Sequence, residues 1–119
     1  MQSIDLTEKF ERIDQTWTPK IIAALNGQHV KLARIEGEFV WHVHEDADEL
    51  FLVVEGRMEM HLRDAVHGVE SGQIFVVPRG VEHKPVAPDG ACILMVEPAG
   101  TLNTGSDRNE RTVEAPEWI

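Results

Sequence analysis

The sequence predicts an all-β domain, an antiparallel sandwich or barrel, preceded by one short helix. Three observations predict it. Turn signals recur roughly every 8 to 12 residues. The stretches between them are short, and they either alternate apolar with polar residues or run apolar throughout. Asn26-Gly27 stands between two such stretches as a two-residue hairpin turn, a pair that tolerates the positive φ angles of a type I′ turn.

The helix is the exception to the β pattern. Asp5-Leu6-Thr7-Glu8 has the form of a capping box, with Asp5 as N-cap and Glu8 reaching back, and Leu6, Phe10 and Ile13 follow at helical spacing. A short helix from Leu6 to about Ile13, lying over a sheet as a lid on the core, is expected. Thr18-Pro19 then changes the period. Ile21 to Leu25 and Gln28 to Ile35 read as the arms of the hairpin, and Gly37 as a turn or bulge. Phe39 to His44 reads as the third strand. Glu49 to Val54 is the fourth, and its continuous apolar character suggests burial on both faces. Gly56 turns the chain. Arg57 to Arg63 alternates, with Met58, Met60 and Leu62 on one face and Glu59 and His61 on the other, as in a half-buried strand. Asp64 to Gly68 reads as a loop, Gln73 to Val77 as an apolar strand, and Pro78-Arg79-Gly80 as a turn. Glu82 to Val86 is a short strand, Pro88-Asp89-Gly90 a turn, and Ala91 to Glu97 the last clear strand. Beyond Pro98 the composition becomes polar. The chain thus divides into a helical segment over residues 1–18, a β domain over 19–98 and a tail over 99–119 that wraps the domain or its partner.

At 119 residues the chain is one domain with enough length for a core of its own. Eleven Lys and Arg against 21 Asp and Glu leave a formal charge of −10. That balance disfavours nucleic acid and anionic membrane surfaces, both of which are bound through Lys and Arg. Cys92 is the single cysteine, so no intrachain disulfide forms, and its apolar neighbours make it a small buried hydrophobe. With no signal-peptide pattern and no long apolar run, a cytoplasmic protein is expected.

The chemistry gathers between Trp41 and Gly56. His42 and His44 are two residues apart, so in an extended segment their imidazoles project to the same side. Glu49 follows an acidic turn, Glu45-Asp46-Ala47-Asp48, and opens the next strand close to them. Two imidazoles and a carboxylate on adjacent strands can hold a divalent transition metal and leave coordination positions open.

These residues carry a resemblance to the cupins. Gly37…His42-Val43-His44…Glu49…Gly56 resembles the first cupin motif, with the four-residue gap to Glu49 and the six-residue gap to Gly56 as the motif has them. The leading Gly37 stands one position off. Gly72, Pro78, Gly80 and His83 match the second motif, and Ala87 stands where that motif has Asn. The resemblance implies an antiparallel jelly-roll β-barrel whose interior holds one metal ion on His42, His44, Glu49 and His83. With imidazole and carboxylate ligands and no thiolate, Fe, Mn, Ni, Cu or Zn is expected, with up to two open positions on an octahedral ion.

Around that centre, Phe51, Met58, Met60 and Phe75 are expected to fill the barrel and line a pocket. Arg34 either anchors an anionic ligand inside the barrel or makes a rim salt bridge. His29, His61 and His67 read as solvated, and Trp41 points away from the His42 face. The cupins include dioxygenases, isomerases, epimerases and decarboxylases, so the expected function is a small-molecule metalloenzyme, dioxygenase- or isomerase-like. The alternative is a non-catalytic ligand-binding or sensor module. Small cupins are commonly dimers, and a homodimer is expected, with the N-terminal strand or the C-terminal tail at the contact.

Overall fold

A computed structural model describes residues 1–119. The chain runs α1 (Leu6–Glu11), β1 (Lys20–Leu25), β2 (Gln28–Glu38), β3 (Glu49–Leu62), β4 (Val66–Glu70), β5 (Ile74–Val77) and β6 (His83–Pro98). All strand pairs are antiparallel, in the order β1-β2-β6-β3-β4, with β5 on the other edge of the first half of β3. This is a jelly-roll β-shell. It curls around its core without closing completely, since β1 and β4 are its two ends.

The curl comes from long strands that bend while they stay paired. The sequence suggested that Gly56 and Pro88-Asp89-Gly90 end strands. Instead β3 and β6 run through them. Gly56 and Gly90 both have φ +86, and a Cβ on Gly56 would lie 2.6 Å from the Gly90 carbonyl oxygen. The register of β3 against β6 slips on both sides of Gly56, and that of β2 against β6 slips between Ile35 and Gly37. Extra residues at these slips bend the sheet across one line, so the two halves of each long strand face one another over the core.

Other boundaries also moved. The third strand, expected over Phe39 to His44, is an irregular extended segment that touches the sheet through a single bridge, His42 to His83. The loop expected over Asp64 to Gly68 contributes most of β4, which returns on the end of β3 as a tight hairpin with His61 opposite Val66. Glu49 to Val54 is not buried on both faces: Glu49, Phe51 and Val53 are buried and the residues between them are half-buried. The outer side of this stretch is thus only partly covered.

Two apolar clusters lie on the two faces of the sheet. Ala33, Ile35, Phe51, Val53, Met58, Met60, Ile93 and Met95 belong to the one inside the shell. Leu32 and Cys92 lie on the other face, where Phe10 and Ile13 pack on them. The helix therefore lids the outer face and not the interior. Asp5 accepts from the Glu8 amide at 3.2 Å, while the Glu8 side chain pairs with Arg12 and does not reach back. Arg34 Nε donates to the carbonyls of Phe10 and Ile13 and Nη2 to that of Phe10, which ties the end of the helix to β2.

The tail lies along the domain. Glu117 and Ile119 exchange backbone hydrogen bonds with Ile21, which covers part of the free edge of β1, and Lys9 donates to the Ile119 carbonyl. No helix is long and apolar enough to cross a membrane.

Candidate metal centre

His42 and His83 are joined by two backbone hydrogen bonds, at 3.0 and 2.9 Å, as directly opposed residues of an antiparallel pair. Their rings are 4.2 Å apart between centroids. His44, two residues beyond His42, points the same way despite the irregular backbone, because extension is enough to preserve the alternation. Its carbonyl accepts from the Gly80 amide at 2.9 Å, and Asp48 accepts from the Arg79 amide and guanidinium. These contacts tie the acidic turn to the Pro78-Arg79-Gly80 turn, and so fix the approach of Glu49 to His83. The arginine's hydrogen bonds hold the Asp48 carboxyl below its ordinary range.

His42, His44, Glu49 and His83 are all buried, and one potential ligand atom from each lies within 4.8 Å of the others. The Nδ1–H of His42 donates to the Val40 carbonyl at 2.8 Å, and that of His83 to the Val81 carbonyl at 2.9 Å. A carbonyl only accepts, so both Nδ1 atoms carry the proton and both Nε2 atoms present lone pairs. Glu49 Oε1 stands 3.3 Å from His44 Nε2 and 3.6 Å from His83 Nε2. His44 Nε2, His83 Nε2 and Glu49 Oε1 are buried without hydrogen-bond partners. Unsatisfied atoms of this kind are costly unless something coordinates them. The donor set, its tautomers and its unspent lone pairs fit a metal ion.

Burial, and then the nearby His83, push the His42 imidazole down to about 4. Burial works to raise the Glu49 carboxyl, but its close neighbours Glu97, His44 and His83 outweigh it and hold it well below its ordinary range. Neutral imidazoles and an ionised carboxylate are the ligand forms a metal requires.

His42 and Glu49 open onto a cavity walled by Ala33 and Ile35 of β2, Phe51 of β3, and Ile93 and Met95 of β6. Trp17, Phe39 and Asn103 complete it. Trp17 stacks on Phe39 at 4.8 Å, and Phe39 meets His42 edge-on at 5.3 Å. Asn103 bonds both Arg111 and Val113, which ties down the tail where it crosses the cavity. His44 faces a separate shallow groove between the acidic turn and residues 98–106.

The residues singled out in the sequence are placed as follows. Phe51 lines the cavity. Met58 and Met60 are buried in the core away from its walls, and Phe75 packs near His67 at 5.3 Å. Arg34 lies on the outer face under α1, with no access to the interior. His61 pairs with Glu59 at 3.0 Å, His29 meets Trp118 edge-on, and Trp41 lies under Arg63 at 3.9 Å.

Sequence reasoning missed Lys31, Glu97, Trp17 and Asn103. Lys31 and Glu97 are each 2% exposed, and Lys31 Nζ donates to Glu97 Oε1 at 2.7 Å. A signal for both was present. Lys31 shares the parity of Ala33 and Ile35, and Glu97 that of Ile93 and Met95, so each is a charge at an inward position. Burial, and then the Glu49 charge, push the Glu97 carboxyl well above its ordinary range, with Lys31 opposing them. Trp17 and Asn103 had no local signal, since only the folded chain brings them to the cavity.

A curled antiparallel shell with three histidines and a glutamate gathered inside it is an arrangement that could hold a metal ion. The chain belongs to the cupin-domain family, whose pattern matches residues 28–97. It is similar in structure to a cupin-2 domain protein from Shewanella frigidimarina, with 43% identity and a TM-score of 0.79, covering 80% of this chain and 93% of that one. The protein NMB1881 from Neisseria meningitidis is similar at 28% identity and a TM-score of 0.76, covering 82% of this chain and all of that one. The uncharacterized Bacillus subtilis protein YdbB is 36% identical over 64 residues, which span 53% of this chain and 57% of that protein.

Proposed function

We propose that the chain binds one divalent transition-metal ion through His42, His44, Glu49 and His83, and that it acts on a small molecule as a dioxygenase- or isomerase-like metalloenzyme. The observation that carries this reading is the buried ligand cluster with three unpartnered lone-pair atoms, set against a largely apolar cavity. Fe, Mn, Ni, Cu and Zn all suit the donor set. A bound ion of this kind supplies Lewis acidity and a seat for a chelating substrate. The protein's part is to fix the imidazole tautomers through the Val40 and Val81 carbonyls, to hold Glu49 ionised, and to exclude water with Trp17, Phe39 and Phe51.

Metal analysis after loading with Fe(II), Mn(II), Ni(II), Cu(II) or Zn(II) tests the site. Retention of about one ion per chain, lost in the H42A/H44A variant, supports it. Equal retention by the variant rejects it. Oxygen uptake and product formation on diol, diketone, thiol and sugar panels then test the enzyme. Turnover supports it, whereas ligand-induced stabilisation without turnover replaces it with the ligand-binding or sensor reading.

A further inference from the structure

We propose that Arg111 is an anion-binding residue at the rim of the cavity, and that the small molecule the protein takes up carries a carboxylate that pairs with its guanidinium. The inference deepens the small-molecule reading by naming the ligand's class. It rests on that reading for the use of the site, and not for the binding itself. Arg111 belongs to the tail, beyond the residues 28–97 that the family pattern matches. Of the chain's seven arginines, the other six each donate to a carboxylate or a backbone carbonyl. Arg111 Nη1 is buried without any partner, although the chain carries 21 acidic residues and the exposed Glu110 directly precedes it. An unpaired charge-bearing donor is costly to bury unless a ligand supplies the acceptor.

The surroundings of Arg111 hold its guanidinium ready at the cavity. Its amide donates to Asn109 Oδ1 at 2.8 Å, and its carbonyl accepts from Asn103 Nδ2 at 2.8 Å. Asn103 is itself part of the cavity wall. The guanidinium carbon lies 5.9 Å from the centre of the Trp17 ring and 5.8 Å from that of Phe39, two further residues of that wall. Aromatic contact of this kind steadies the guanidinium and leaves its N–H edge free for in-plane hydrogen bonds. Arg111 also lines a surface groove with Thr16, Thr18 and Val113, and Trp17 is the wall that this groove shares with the cavity. A carboxylate suits the position because it is planar and accepts two parallel hydrogen bonds from one guanidinium. Neither the groove nor the cavity is lined by a second Lys or Arg, so a single negative charge is matched and a phosphate dianion is not.

The test uses the metal-free full chain at pH 7 and follows the Trp17 indole N–H in ¹H–¹⁵N spectra, with the signal assigned from W17F. That N–H is anchored on the Glu36 carbonyl at 2.9 Å, so it reports on the rim. The probes are benzoate and short n-alkyl carboxylates, each matched to its neutral amide. Wild type should bind the best carboxylate about tenfold or more tightly than its amide, the size of a hydrogen bond to a charged group, and the Trp17 signal should move. R111Q should reduce that preference to about twofold or less. R111K keeps the charge without the planar fork and should fall between the two; if R111Q does not fold, R111K decides, and an undiminished preference there overturns the inference. Amides binding as well as carboxylates, or a preference that survives R111Q, also overturns it. So does carboxylate binding that moves the Trp41 or Trp118 signal and leaves that of Trp17 in place, or the absence of saturable carboxylate binding by wild type. Because the ion is removed beforehand, each of these outcomes leaves the metal site to its own test.

Discussion

Lys31 Nζ lies 2.7 Å from Glu97 Oε1, with both side chains buried, on β2 and β6, which pair side by side. Breaking a buried ion pair from one side leaves an uncompensated charge. K31M is expected to cost about 3 kcal/mol, the low end for such a change because Glu97 can take up a proton. K31M/E97L should recover most of that loss. Urea denaturation of the two variants measures it, and a cost below about 1 kcal/mol for K31M, the value of an exposed pair, contradicts the prediction.

The metal-free protein should lose stability as the pH falls from 7 toward 4. The folded His42 imidazole titrates at about 4, below its ordinary 6.5, so between those values the unfolded chain binds the extra proton and stability rises with pH. The full shift corresponds to about 3 kcal/mol as an upper bound. Urea midpoints in chelator at pH 7, 5.5 and 4 should converge between wild type and H42N as the pH falls. A wild-type advantage independent of pH argues against a buried neutral His42.

Gly56→Ala should destabilise by more than about 2 kcal/mol, since it adds the strain of a positive φ to a Cβ set 2.6 Å from the Gly90 carbonyl oxygen. Gly72→Ala is the control. It has φ +85 and nothing within 4 Å of an added Cβ, so about 1 kcal/mol is expected there. Equal thermal shifts for the two would show that the Gly56 and Gly90 crossing contributes nothing beyond backbone conformation.

We propose that two copies associate through the free edge of β5. Its only partner strand is β3, and Ile74 and Val76 are exposed on it. The tail already covers part of the β1 edge, which shifts the expected contact away from the N-terminal strand. Light scattering at micromolar concentration should give a dimer mass, reduced to a monomer by I74K/V76K. A monomer mass for wild type rejects the dimer.

Much of the candidate site was legible along the chain. His42, His44 and Glu49 lie within one stretch, and His83 follows a Pro-x-Gly turn that the structure ties to Asp48. The third strand was misjudged because parity needs only an extended backbone, and Phe39 to His44 is extended with one bridge to the sheet. The glycines of the long strands were read as turns because local sequence does not separate a reversal from a bend. The partner strand decides, and here β3 and β6 stay paired on both sides. Arg34 was expected inside the barrel or in a rim salt bridge, but it shares the strand parity of Leu32. That side proved to be the outer one, under α1.

The order of residues alone determined the short-range facts: strand parity, the hairpin at Asn26-Gly27, the helix cap and the four ligand types at their spacings. Covalent geometry holds those relations within a few residues of one another. Only the tertiary structure decided that Lys31 meets Glu97, that Trp17 and Asn103 close the cavity, and that α1 covers the outside of the shell. Those contacts depend on where paired strands slip and bend, and that is settled by packing between segments far apart in the chain.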